Sequence, residues 1–147
     1  PSGGGGLASG IALALGMAAP GLRVRTVEPD THDDMARSLR AGHKVANPPG
    51  RISLCDAILT PEPGDLTYPI LARLAGPGLS VSDDEALRAV ATAFRRLRVV
   101  AEPGGAVALA AALSGRISGD GPLIVVLSGG NVDEGVFARA LAMEAAS

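Results

Sequence analysis

Three glycine-rich junctions constrain this chain more than any other feature. They are Ser2–Gly3–Gly4–Gly5–Gly6–Leu7, Ala101–Glu102–Pro103–Gly104–Gly105–Ala106 and Leu127–Ser128–Gly129–Gly130–Asn131–Val132–Asp133. Each opens onto an apolar stretch with helical spacing. Two of them follow short β-type runs, Val99–Val100 and the wholly apolar Leu123 to Leu127. Strand, tight glycine turn and helix in repeated order predict an α/β fold, a parallel sheet flanked by helices. The side-chain inventory agrees. Hydrophobic residues make up 47% of the chain but aromatics only 2%. A core of Ala, Leu, Val and Ile suits helices packed closely on a sheet. With 147 residues, one domain over 1–147 is expected.

The remaining elements follow from local signals. Helices are predicted over Leu7 to Ala19, from Thr31 to about Arg40 with Gly42 as the stop, and over Leu66 to Leu74. Strands are predicted over Arg23 to Val27 and Leu79 to Val81. Ser82 with Glu85 forms a capping box. Leu87, Val90, Ala91, Phe94 and Leu97 then make one apolar helical face. Asp83 and Asp84 in its first turn, and Arg95 and Arg96 in its last, suit the helix dipole. Ala106 to Leu113 predicts a buried Ala-rich helix, and Glu134 to Met143 a last helix with Asp133 as its N-cap.

The junctions are where chemistry would sit, because α/β proteins place ligands at the carboxyl ends of their strands. Glycines at Gly3 to Gly6 let successive N–H groups face one anion at a helix N-terminus. The stretch reads equally as a flexible linker; it has no Walker lysine and no dinucleotide spacing. Ser128 offers a neutral hydroxyl that can pair with a ring nitrogen, or it belongs to a plain turn. Glu102 either faces the same ligand or serves the helix dipole.

Glu28, Asp30, Asp33 and Asp34 form an acidic cluster around Thr31 and His32. Its carboxylates could take a hard divalent cation, or Thr31 and Asp34 form a capping box with the rest solvated. His32 and His43 have no zinc spacing with Cys55. Cys55, the single cysteine, rules out an internal disulfide, suits a reducing cytoplasm and is expected to be buried packing. Lys44 reads as a solvated surface cation. A net charge of −2 leaves no footprint for nucleic acid, and no apolar run is long enough to span a bilayer.

In their order, these segments resemble the fold type II pyridoxal-phosphate (PLP) enzymes, and most closely the serine/threonine dehydratases and serine racemase. The tetraglycine loop with Leu7, Val27–Glu28–Pro29, Leu54 to Ile70, Glu102–Pro103–Gly104–Gly105–Ala106 and Ser128–Gly129–Gly130–Asn131–Val132–Asp133 carry the likeness. The resemblance implies the larger, PLP-binding domain of that fold, incomplete here and without a regulatory domain. It implies that Gly3, Gly4, Gly5, Gly6 and Leu7 hold the PLP phosphate and Ser128 the pyridine nitrogen. Glu28, Asp34 and the carbonyl of His32 match a site for Mg²⁺ or Ca²⁺, and Glu102 would lie near the substrate. The implied reaction converts L-threonine or L-serine to a 2-oxo acid and ammonia in a cytoplasmic homo-oligomer. Racemisation or dehydration of hydroxyaspartate are alternatives, and a non-catalytic anion-binding fragment is the rival of another class. The family's Schiff-base lysine stands in a Ser-x-Lys context upstream. Lys44, the only lysine here, matches no such motif, so the chain alone is expected to be inactive.

Overall fold

A computed structural model describes residues 1–117, 119 and 121–143. Among the described residues, six α-helices are arranged around a small parallel sheet. In chain order the elements are α1 (Gly6–Ala18), β1 (Val27–Pro29), α2 (Asp34–Ala41), a 3₁₀ turn (Asp56–Ile58), α3 (Thr67–Leu74), β2 (Leu79–Val81), α4 (Asp83–Thr92), α5 (Pro103–Leu113) and α6 (Glu134–Ala142). β1 and β2 pair in parallel with Val27 opposite Leu79, Glu28 opposite Ser80 and Pro29 opposite Val81. A single bridge, Val24 to Ala75, continues the pairing outward. The α/β class is as the sequence implied.

Small side chains set the packing. One core joins Val27 and Val81 of the sheet to Leu87 and Val90 of α4, Ala106, Val107, Ala110 and Ala111 of α5, and Ala140 of α6. Alanines at the helix contacts let the backbones approach, and dispersion then acts over many close pairs. A second cluster, Ala8, Ala12, Met35 and Leu71, ties α1 to α2 and α3. The glycine loop lies where α1 meets this second cluster.

Local signals were kept where their partners are also local. Ser82 accepts the N–H of Glu85, and the Glu85 carboxylate accepts the N–H of Ser82, completing the capping box of α4. Elsewhere the structure corrects the expectation. The first strand is Val27–Pro29 rather than Arg23 to Val27. α2 starts at Asp34, and the Thr31 hydroxyl bonds the His32 ring instead of capping it. Asp133 occupies the N-cap position of α6 without a side-chain hydrogen bond. After Thr92 the helix widens into a π turn, Ala93–Leu97. That turn carries Leu97 off the apolar face and leaves it 56% exposed.

Val99–Val100 and Leu123 to Leu127 are not strands, since neither joins a ladder among the described residues. Leu123 and Ile124 are 53% and 75% exposed. Their apolar pattern is that of a buried sheet centre, but a ladder requires a hydrogen-bonding neighbour.

Candidate functional site

The glycine loop is held from three sides. Ser2 N–H donates to the Val27 carbonyl at 3.0 Å, which straps the start of the loop to β1. The Gly4 carbonyl accepts from Gly64 N–H at 3.1 Å and from the Thr67 hydroxyl in a short hydrogen bond. Gly5 then turns the chain into α1 with φ 91°, a left-handed conformation that disfavours any side chain. A Cβ there would lie 2.8 Å from the Met35 methyl. Among the described residues, the N–H groups of Gly3, Gly4 and Gly5 have no acceptor. α1 has no side-chain cap and no acidic residue in its first turn. Free N–H donors and an uncompensated helix N-terminus are what an anion requires.

The loop faces a cavity of about 160 Å³. Pro1, Ser2, Gly3 to Leu7, Ala57, Ile58, Thr60 and Ser128 line it. Residues far apart in sequence, the glycine loop and Ser128, are thus brought to one place. Two junctions interlock to put Ser128 there. Ser128 N–H donates to the Gly105 carbonyl at 3.3 Å, and Glu102 N–H to the Gly129 carbonyl at 3.1 Å. A Cβ on Gly105 would lie 2.5 Å from the Gly129 oxygen, and one on Gly130 would lie 2.6 Å from the Val100 oxygen. Each glycine pair is therefore needed for close approach of backbones. The Glu102 carboxylate packs on Gly129, next to Ser128, and does not line the cavity.

Sequence reasoning missed Thr60. It lies in the cavity wall with its hydroxyl buried and without a partner among the described residues. It ends a brief apolar run, Ala57 to Thr60, in which nothing marks the hydroxyl.

The acidic cluster is partly buried architecture. Glu28 is fully buried and accepts the N–H groups of Met35 at 2.9 Å and Ala36 at 2.7 Å. It thereby caps α2 from β1. Burial pushes its carboxyl up to about 8, against the pull of those two N–H bonds. Asp34 is also fully buried. One of its oxygens accepts from the Asn47 amide at 2.6 Å, and the other has no partner. Burial raises its pKa too, opposed by the Asn47 bond. Among the described residues no three His, Cys, Asp or Glu side chains group closely enough to hold a metal.

Lys44 lies at the surface, as expected. Its ammonium pairs with Asp65 at 2.6 Å and Glu62 at 3.1 Å. Cys55 is buried as expected, and burial pushes its thiol up to about 12, far from a reactive thiolate. A wider, more open hollow of about 400 Å³ lies by Asp30, Ser80 and Glu85. Its cation, Arg116, is already paired with Glu85 at 2.6 Å.

The profile of the family described as "Pyridoxal-phosphate dependent enzyme" matches residues 1–129, which include the glycine loop and Ser128. The chain belongs to the pyridoxal-phosphate dependent enzymes. Among curated members of that family, a serine racemase of Oryza sativa subsp. indica is 37% identical over 147 residues, covering 96% of this chain and 43% of that protein. An L-threonine ammonia-lyase of Thermotoga maritima is 33% identical over 139 residues, covering 95% of this chain and 34% of that protein. The solved structure of maize serine racemase superposes with a TM-score of 0.86 at 35% identity, over 96% of this chain and 44% of that one. A crystal structure of a threonine deaminase superposes with a TM-score of 0.85 at 38% identity, over 90% of this chain and 48% of that one. The chain thus spans less than half the length of the pyridoxal-phosphate enzymes it matches. Its fold is that of fold type II members, and no helix among the described residues is long and apolar enough to cross a membrane.

Proposed function

We propose that this chain forms the phosphate-binding side of a PLP-dependent ammonia-lyase that converts L-threonine or L-serine to a 2-oxo acid and ammonia. One observation carries the reading. The glycine loop, with its unpaired N–H groups, and Ser128 line a single cavity. Their chemistry fits PLP, an anionic phosphate at one end and a ring nitrogen at the other. When bound, PLP supplies an electron sink that permits loss of the α-proton and departure of the β-hydroxyl.

This chain's own residues would bind and orient. Gly3 to Leu7 hold the phosphate through backbone N–H groups and the α1 N-terminus. Ser128 holds the ring nitrogen as a neutral partner, and Glu102 supports the Ser128–Gly129 turn beside the substrate. Lys44 pairs with Asp65 and Glu62 and does not line the cavity, so in this reading the lysine that carries PLP and shuttles the proton would come from outside these 147 residues and the chain alone would be inactive. The resemblance would give Glu28, Asp34 and the His32 carbonyl to Mg²⁺ or Ca²⁺, although both Glu28 oxygens already accept N–H groups of α2. The buried, unpartnered oxygen of Asp34 fits that use. We take the enzyme to be a cytoplasmic homo-oligomer.

The likeness to serine racemases supports a second reading, interconversion of serine enantiomers at the same site. Assay of the polypeptide that carries this chain decides between them. Release of 2-oxobutyrate from L-threonine or pyruvate from L-serine is the expected result. Formation of D-serine without 2-oxo acid would favour the racemase. Turnover of neither would leave an anion-binding protein without lyase chemistry.

A further inference from the structure

Asn47 lies between α2 and the 3₁₀ turn and does not line the cavity. Its side chain nevertheless links the acidic cluster to the cavity wall. The amide nitrogen donates to Asp34 Oδ1 at 2.6 Å and to the Thr60 carbonyl at 2.8 Å. The amide oxygen accepts from the Arg37 guanidinium, which is itself held by Asp33 at 2.7 Å. The orientation of the amide is fixed by chemistry. A carboxylate and a carbonyl must receive, and a guanidinium must donate. The Asn47 backbone N–H donates to the Pro61 carbonyl at 2.7 Å.

One residue thus anchors Thr60 and Pro61. The segment that follows ends at Gly64, whose N–H holds the Gly4 carbonyl. The Thr60 methyl lies against Gly3, 3.3 Å from where a Cβ would stand. The anchored segment therefore touches the glycine loop at both Gly3 and Gly4.

We propose that Asn47 is a positioning residue for the anion site: through the Thr60 carbonyl it fixes the wall that holds Gly3 and Gly4 in their binding conformation. The proposal rests on the glycine loop being a phosphate site. Its two amide donors have separable roles. The bond to Asp34 stabilises the fold by satisfying a buried carboxylate. The bond to the Thr60 carbonyl sets the loop.

The test uses the 147-residue chain in EDTA, with inorganic phosphate as probe. Amide NMR shifts of Gly3 to Leu7 give the affinity, and urea midpoints give the stability. In Asn47→Asp, both donors are replaced by a carboxylate oxygen while the acceptor for Arg37 stays. Phosphate affinity should fall about tenfold, and stability should fall with it. The double variant Asp34→Asn with Asn47→Asp exchanges the partners, so the amide now at position 34 donates to the carboxylate at position 47. Stability should return most of the way, but affinity should stay about tenfold weak, because no donor faces the Thr60 carbonyl. Affinity that recovers with stability in the exchange would overturn the positioning role. So would an Asn47→Asp chain that binds within about twofold of wild type. If Asn47→Asp does not fold, the exchanged double variant alone decides. Failure of the wild-type chain to bind phosphate at these amides is a different result: it removes the phosphate-site reading and this inference with it.

Discussion

The carboxylate of Glu28, on β1, accepts the N–H of Met35 at 2.9 Å, so helix α2 is capped by a strand residue from outside the helix. Ala36 N–H adds a second bond to the same carboxylate. The arrangement joins sheet and helix at a fully buried carboxyl, and burial there outweighs the two N–H bonds and raises its pKa to about 8.

This gives a pH dependence with a definite sign. An unfolded glutamate titrates near 4.5, and the folded one near 8. The folded state then binds the proton more tightly, so its advantage is complete below pH 4.5 and is lost as pH rises through 8. The loss corresponds to ~5 kcal/mol at most, from the per-unit value of a pKa shift. Thermal melts from about pH 5 to about pH 8.5 should show Tm falling, with most of the slope absent in Glu28→Gln. An equal slope in both proteins would mean that Glu28 is ionised throughout.

The glycines of the loop should differ in tolerance. At Gly5 a side chain meets Met35 and Thr67 at 2.8 and 2.9 Å, in a left-handed backbone. Gly5→Ala should cost about 2–4 kcal/mol in urea unfolding. Gly4 is not among the positive-φ glycines, and the nearest neighbour of a Cβ there would be the Thr60 methyl at 3.8 Å. Gly4→Ala should change stability by less than about 1 kcal/mol. Equal losses would show that the left-handed turn is not at Gly5.

Asp83 does more than complement the α4 dipole. Its carboxylate accepts from the Ser53 hydroxyl and from Leu54 N–H at 3.0 Å. The segment it anchors leads to Ala57 and Ile58 in the cavity wall. Asp83→Ala should cost about 1–3 kcal/mol, the range for losing bonds to a charged group, and should shift the Ala57 and Ile58 amides. Unchanged amides would confine Asp83 to the helix dipole.

These residues show what was legible in the sequence. The capping box of α4 lies within four consecutive residues, so Ser82 and Glu85 announce it. The glycine loop and Ser128 were legible because each is a short junction with its own chemistry. Their meeting at one cavity was expected only from the family resemblance. Glu28 as a cap was hidden, because its partners depend on how β1 lies beside α2. Asn47 and Thr60 were hidden for the same reason, since a turn residue and a hydroxyl carry no pattern of their own. Leu123 to Leu127 misled because burial potential is a property of sequence, whereas a ladder needs a neighbour.

The phosphate site is tested most directly by titrating inorganic phosphate into the 147-residue chain while following its amide NMR signals. Weak, millimolar binding is expected, because the donors are neutral backbone N–H groups and a helix N-terminus, with no Lys or Arg side chain in the cavity lining. Gly3 to Leu7 should shift together along one saturable curve, and Gly5→Ala should abolish the effect. If those five amides stay fixed while others move, the glycine loop is not the phosphate site and the lyase reading loses its foundation.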